Sequence, residues 1–171
     1  KTRRIKMIAI AVLGLGTVAS GAVEVIEKNA QGIKCRAEDE IRVKYILVRR
    51  DHPKSPYKDK FVKDFSVIEN DPDIKVVAEA IGGADAAYDY TKRALKAGKH
   101  VVTSNKEVVS KYGSELLQTA RESNVNYLFE AAVAGGVPVI RPLVMCLAAN
   151  ELEEITGILN GTTNYILTRM I

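Results

Sequence analysis

The chain has 171 residues, 47% apolar and 27% charged, enough for one full core and the beginning of another domain in a soluble globular protein. Its formal net charge of +4 suits an anionic ligand, but Lys and Arg are scattered and no base-stacking aromatic cluster or nucleic-acid motif accompanies them, so no nucleic-acid partner is expected. Cys35 and Cys146 are far apart and lack the paired spacing of a zinc or dithiol site, which points to reduced thiols in the cytoplasm.

In chain order, Lys1, Arg3, Arg4 and Lys6 precede the apolar stretch Met7 to Leu13 and imitate a signal peptide. The stretch is too short to span a membrane, and the glycines after it fit a nucleotide turn better than a cleavage site. The first residue is Lys, not Met, which reads as a native start lying upstream. Ile8 to Leu13 is an apolar strand, and it breaks at once into Gly14-Leu15-Gly16-Thr17-Val18-Ala19. A helix follows, with Val18, Ala22, Val25 and Ile26 expected on its buried side. Gly14 permits the tight turn, Gly16 leaves the backbone open to a pyrophosphate, and Ala19 lets the helix pack closely. The start of that helix offers unpaired N–H groups and the positive end of its dipole.

Ile41 to Val48 reads as the second strand and Phe65 to Glu69 as a short helical piece closed by Asn70-Asp-Pro72. Val76 to Ile81 is a strand ending at Gly82-Gly83, Ala84 to Ala97 a helix stopped by Gly98, and His100 to Thr103 another strand. A helical region from Glu107 to Ser123, interrupted near Gly113, leads to a strand from Asn126 to Phe129 and the glycine-rich Ala134 to Pro138. Ile140 to Leu147 then reads as helix. The alternation predicts an α/β fold, a Rossmann-type doubly wound parallel sheet over residues 1–149 with ligands at the carboxyl ends of its strands. Glu153 to Leu159 reads as a strand, Asn160 to Asn164 as a turn with two helix caps, and Tyr165 to Ile171 as the first turns of a helix. Residues 150–171 are thus the expected start of a truncated second α+β domain.

Several side chains fall at strand ends. Arg49-Arg50 stand where an NAD site would carry an acid, and guanidinium groups bind a 2′-phosphate through paired charge-assisted hydrogen bonds, so NADP is favoured and NAD is the alternative. The bland reading is two exposed arginines. Thr103-Ser104-Asn105-Lys106 places hydroxyls, an amide and an ammonium together; Lys106 neutralises a substrate carboxylate, approaches the nicotinamide, or is merely solvated. Glu130, before the loop Ala131 to Val137, could join its carbonyls around a sodium or potassium ion, although a glutamate that caps or bridges the loop is the plainer chemistry. His52 and His100 have no partner at ligand spacing, and His100 reads as structural.

Taken together, Gly14-Leu-Gly-Thr-Val18, Ile81-Gly-Gly83, Val101-Val-Thr-Ser-Asn-Lys106, Glu130-Ala-Ala-Val-Ala-Gly-Gly-Val-Pro138 and Ile158-Leu-Asn-Gly-Thr-Thr-Asn-Tyr165 resemble the ordered motifs of homoserine dehydrogenase along essentially the whole chain. The resemblance implies reduction of aspartate 4-semialdehyde to homoserine with a nicotinamide nucleotide, on the route to threonine and methionine. It implies that Gly14, Leu15, Gly16, Thr17 and Val18 hold the cofactor phosphates and Arg49 the 2′-phosphate. Gly82 and Ser104 would lie near the cofactor and Lys106 between nicotinamide and substrate. Glu130 with the carbonyls of Val133, Gly135 and Val137 would match a monovalent-cation site, and Asn160, Gly161 and Thr162 would border the substrate pocket, Gly161 and Thr162 closest. Ala19 departs from the usual third glycine, a tolerated change. The family's acidic substrate residues and its main proton-donating lysine belong beyond residue 171. The resemblance therefore implies a chain that binds nucleotide without turning over homoserine alone, and a homodimer for the full-length protein. A reading from another class is a non-catalytic NADP-binding sensor; the Lys106 segment and Asn160 to Asn164 favour the enzyme, since a sensor has no use for a substrate pocket.

Overall fold

The computed structural model describes residues 7–157 and 160–171. Strand β1 (Met7–Leu13) lies at the centre of a six-stranded, all-parallel sheet ordered β3-β2-β1-β4-β5-β6. The others are β2 (Glu40–Leu47), β3 (Phe61–Val62), β4 (Ile74–Glu79), β5 (His100–Thr103) and β6 (Tyr127–Leu128). The physical reason is legible in β1, whose side chains alternate between two cores. Ala9, Ala11 and Leu13 join Phe65, Val77, Leu95 and Leu116 on one face, while Ile10 and Val12 join Ala19, Val23, Val43 and Ile46 on the other.

Helices α1 (Thr17–Lys28) and α2 (Ala30–Ala37) precede β2, the single turn α3 (Ser66–Glu69) precedes β4, and α4 (Asp85–Lys96) and α5 (Lys106–Glu122) flank β5. In α1 the buried residues are Ala19 and Val23, with Ile26 partly buried against them. Val18 and Val25, expected inside, are 60% and 55% exposed, because the residues facing the sheet run Ala19, Val23, Ile26 at i, i+4, i+7. Helix α5 runs unbroken through Gly113, where even an added Cβ would meet only the Val109 side chain, at an ordinary 3.7 Å. Helix α2 and the two-residue strand β3 were not among the expected elements. The base of β5 is fastened by Lys99, 3% exposed, whose Nζ donates to the carbonyls of Asp71 (2.7 Å) and Ile74 (3.2 Å). Burial lowers its pKa.

Beyond the sheet come α6 (Ile140–Cys146) and α7 (Gly161–Met170), neither with a buried residue. The strand expected from Glu153 is absent over residues 153–157, which are exposed and pair with no other strand; Ile158 and Leu159 lie outside the described residues, as do Lys1, Arg3, Arg4 and Lys6. A strand persists only where a neighbour accepts its hydrogen bonds. The turn expected from Asn160 to Asn164 is instead the first turn of α7, because the Asn160 side chain caps it by accepting from Thr163 N at 2.8 Å.

Candidate functional site

The sheet order reverses at β1, which lies between β2 and β4, and the crevice at the carboxyl ends of these strands is where such folds take ligands. Gly14 makes the turn there. Its φ is +96°, and a Cβ would fall 3.0 Å from the carbonyl oxygen of Ala80, so both backbone conformation and close approach require glycine. Its N–H donates to Leu47 O (2.9 Å), and Ala80 N–H donates to Leu13 O (3.1 Å), which ties the turn to both neighbouring strands. Gly16 differs: its φ of −78° suits any residue, and an added Cβ would meet nothing within 4 Å. The space a side chain would fill there is open. Gly16 caps α1 without a side-chain hydrogen bond and no acid lies in its first turn, so neither the cap residue nor the first turn neutralises the positive helix end at Thr17 and Val18.

A cavity of about 530 Å³ occupies this crevice, lined by Gly14, Leu15, Gly16, Arg49, Arg50, His52, Lys63, Gly82, Tyr90 and the ends of β2 and β4. The structure thus brings together five of the expected cofactor residues, Gly14, Leu15, Gly16, Arg49 and Gly82. Lys63 was missed in the sequence, and His52 was weighed there only for ligand spacing. Lys63 follows the unexpected β3, and only the pairing of β3 with Ile46 and Leu47 carries it to the arginines. Asp51, the acid nearest the arginines, is paired with Lys63 at 2.6 Å, and that hydrogen bond and charge hold its carboxyl below the ordinary value.

On the other side of the crevice, Ser104 N–H donates to Glu79 O (3.2 Å) and Lys106 is the exposed first residue of α5. Between them Asn105 caps α5, its Oδ1 accepting from Glu107 N and Val108 N. Glu79, 2% exposed, ends β4 under the Gly82 loop. Burial pushes its carboxyl above the ordinary value, against hydrogen bonds from Thr103 and Ile81 that pull it down. Sequence reasoning passed over Glu79 and named Asn105 only as the amide of its segment, without its cap. The available signal was an acid alone in the apolar run Val76 to Ile81 and an asparagine directly before a helix.

Glu130 does what the plainer chemistry predicted. Its Oε1 accepts from Val139 N (2.6 Å) and Ile140 N (3.0 Å) and its Oε2 from Arg141 N (2.7 Å), so it caps α6. These bonds, that of Val139 foremost, keep the carboxyl below its ordinary value. A carboxylate offers about four lone-pair positions, so these three bonds leave one on Oε2. His100 is structural as expected, its Nδ1 accepting from Asn126 N at 3.0 Å. Gly161 and Thr162 sit exposed on α7 and do not line the cavity. Among the described residues no helix is long and apolar enough to cross a membrane, and no group of three or more His, Cys, Asp or Glu could hold a metal ion.

Comparison with known proteins gives the arrangement a context. The family model described as homoserine dehydrogenase, NAD binding domain, matches residues 14–130, and a second, described as homoserine dehydrogenase, matches residues 138–171. The homoserine dehydrogenase of Bacillus subtilis is 40% identical over 169 residues, 97% of this chain and 39% of that protein. The crystal structure of a homoserine dehydrogenase from Thiobacillus denitrificans superposes with a TM-score of 0.87 at 41% identity, covering 97% of this chain and 39% of that one. A hyperthermophilic archaeal homoserine dehydrogenase in complex with NADPH shares the fold, with a TM-score of 0.65 at 24% identity over 80% of this chain and 48% of its own. The chain spans about two fifths of the length of the curated relatives it matches.

Proposed function

The chain belongs to the homoserine dehydrogenase family, and we propose that it is the cofactor-binding part of an enzyme interconverting L-homoserine and L-aspartate 4-semialdehyde with NADP in preference to NAD. The observation that carries the reading is the single cavity in which the glycine turn, the Gly82 loop and the Arg49, Arg50 and Lys63 cations meet. When bound, the nicotinamide nucleotide supplies or accepts the hydride. Gly14 to Val18 would take the pyrophosphate on the backbone and on the open start of α1, and Arg49 would take the 2′-phosphate. Gly82 and Ser104 would border the nicotinamide end. Lys106 would place an ammonium near the substrate, where a cation stabilises a developing alkoxide or a carboxylate.

The substrate contacts of Gly161 and Thr162, a second domain opening at residue 150 and a homodimer of the full-length protein belong to the same proposal. So does a sodium or potassium ion at Glu130 with the carbonyls of Val133, Gly135 and Val137, supported by the lone pair left on Oε2 and by the all-oxygen donor set. Anomalous scattering from a rubidium soak should then peak beside Glu130; a well-ordered loop without a peak would count against the ion.

The cofactor reading is tested by calorimetric titration with NADPH and NADH. NADPH should bind more tightly, and Arg49→Ala should remove most of the difference, by roughly 1.5–3 kcal/mol for a charged hydrogen bond. Equal affinities in the unmodified chain would overturn the preference.

A further inference from the structure

We propose that Glu79 and Asn105 are positioning residues that lock the loops after β4 and β5 into one body, so that the nicotinamide half of the cofactor site forms as a unit. The proposal rests on the nucleotide-binding reading above for its ligand, and on the geometry for the lock itself.

The register of β4 with β5 ends at the pair Glu79 and Thr103, and past it the two strands part into the Gly82 loop and the Ser104 segment. Side chains take over there. Ile81 N–H donates to Glu79 Oε1 at 2.7 Å, and Ile81 C=O accepts from Asn105 Nδ2 at 2.9 Å. Asn105 N–H donates to Thr103 Oγ1 at 2.9 Å, and the Thr103 hydroxyl donates to Glu79 Oε2. These four bonds close a ring through Glu79, Ile81, Asn105 and Thr103, whose three side-chain members are 2%, 8% and 3% exposed for Glu79, Asn105 and Thr103.

Asn105 also donates to Gly83 O at 2.7 Å and accepts from two N–H groups of α5, so both amide hydrogens and both carbonyl lone pairs are committed. Neither loop can shift without breaking a hydrogen bond of this network, buried at Thr103 and partly buried at Ile81 and Gly83, and a polar group left unpaired there is costly. The residues so fixed flank those proposed to meet the nicotinamide: Gly82 on one loop, Ser104 and Lys106 on the other. A Val at position 79 would fill the strand without the desolvation a buried carboxylate suffers. What the carboxylate adds is control of the loops.

Asn105→Asp separates the functions, because aspartate caps a helix as asparagine does but cannot donate to Ile81 and Gly83. In the 171-residue chain its affinity for NADPH should fall roughly five- to tenfold. Affinity for adenosine 2′,5′-bisphosphate, which has no nicotinamide, should hold within about twofold. Thr103→Val, nearly isosteric, opens the ring from the opposite side and should give the same split. Without any nucleotide, hydrogen exchange should quicken in residues 80–84 and 104–108 together in both variants, while β1 and β2 keep their protection. Equal loss of both ligands, unchanged NADPH binding, or faster exchange only in the substituted segment would overturn the lock. If neither ligand binds the unmodified chain, the cofactor reading fails and the exchange pattern alone decides.

Discussion

Helices α1 and α4 begin without a side-chain cap, yet each buries a face against the sheet, whereas α6 and α7 begin on side chains that accept their free N–H groups and bury nothing. Glu130 starts α6 and Asn160 starts α7; Ala19 and Val23 hold α1, and Ala87, Thr91, Ala94 and Leu95 hold α4. The contrast separates two things that a helix needs. A cap fixes where the helix begins, but isolated helices shorter than about 12–15 residues are marginal in water, so packing supplies the stability. Helix α5 has both, a cap from Asn105 and a buried face through Val108, Leu116 and Ala120.

The largest effect that would sharpen this contrast comes from the core. Leu13→Ala, at a position with no exposure, should cost about 2–5 kcal/mol in urea denaturation, and Leu167→Ala on α7, 55% exposed, less than about 0.5 kcal/mol. Comparable losses would mean that α7 packs on the sheet in solution. A smaller effect tests the cap. Asn160→Ala should weaken α7 by about 1 kcal/mol, seen as faster exchange over 161–170 with the global midpoint unmoved, and a shifted midpoint would break the contrast.

The smallest effect is a pH dependence of opposite sign in the two regions. Glu130 is held below its ordinary value, so its stabilisation is present above the unfolded-chain value of about 4.3 and is lost as pH falls through the lower folded pKa. Acid should loosen α6, and Glu130→Gln should remove that dependence. Glu79 is pushed up by burial, so its contribution is full below the unfolded-chain value and is lost as pH rises through the higher folded pKa. The denaturation midpoint of the sheet should therefore decline with rising pH above about 4.3, and Glu79→Gln should flatten that slope. A slope of the same sign for both carboxylates would contradict the burial argument.

The class of fold and the cofactor crevice were legible because they rest on patterns with strong local causes. An apolar run breaking into Gly14, and strands alternating with helices, have few other solutions. The buried side of α1 was misjudged because a face only three residues long leaves the helical phase to be set by the sheet beneath it. Gly113 looked like an interruption, but a helix packed along one side tolerates a glycine at modest cost. The strand expected from Glu153 failed for a tertiary reason, since apolar alternation supplies a face and not a partner. Lys63 reaches the arginines through strand pairing, a contact with no trace in local sequence. Arg49 needed no such contact, standing directly at the end of β2. Glu130 was read with two roles, and the capping role emerged because Val139, Ile140 and Arg141 present three N–H groups to it at once.

Lys99 gives the base of the sheet a chemical clock. An acylating reagent attacks an amine that is neutral and uncovered, and this one is 3% exposed with its hydrogens given to the carbonyls of Asp71 and Ile74. Burial lowers its pKa only while it is covered, so the opened lysine reacts as a surface lysine does, and each reaction must wait for the Asp71 to Ile74 corner to lift away from β5. Where opening and closing outpace the reagent, the ratio of its labelling rate to that of an exposed lysine such as Lys28 reports how often this corner comes apart.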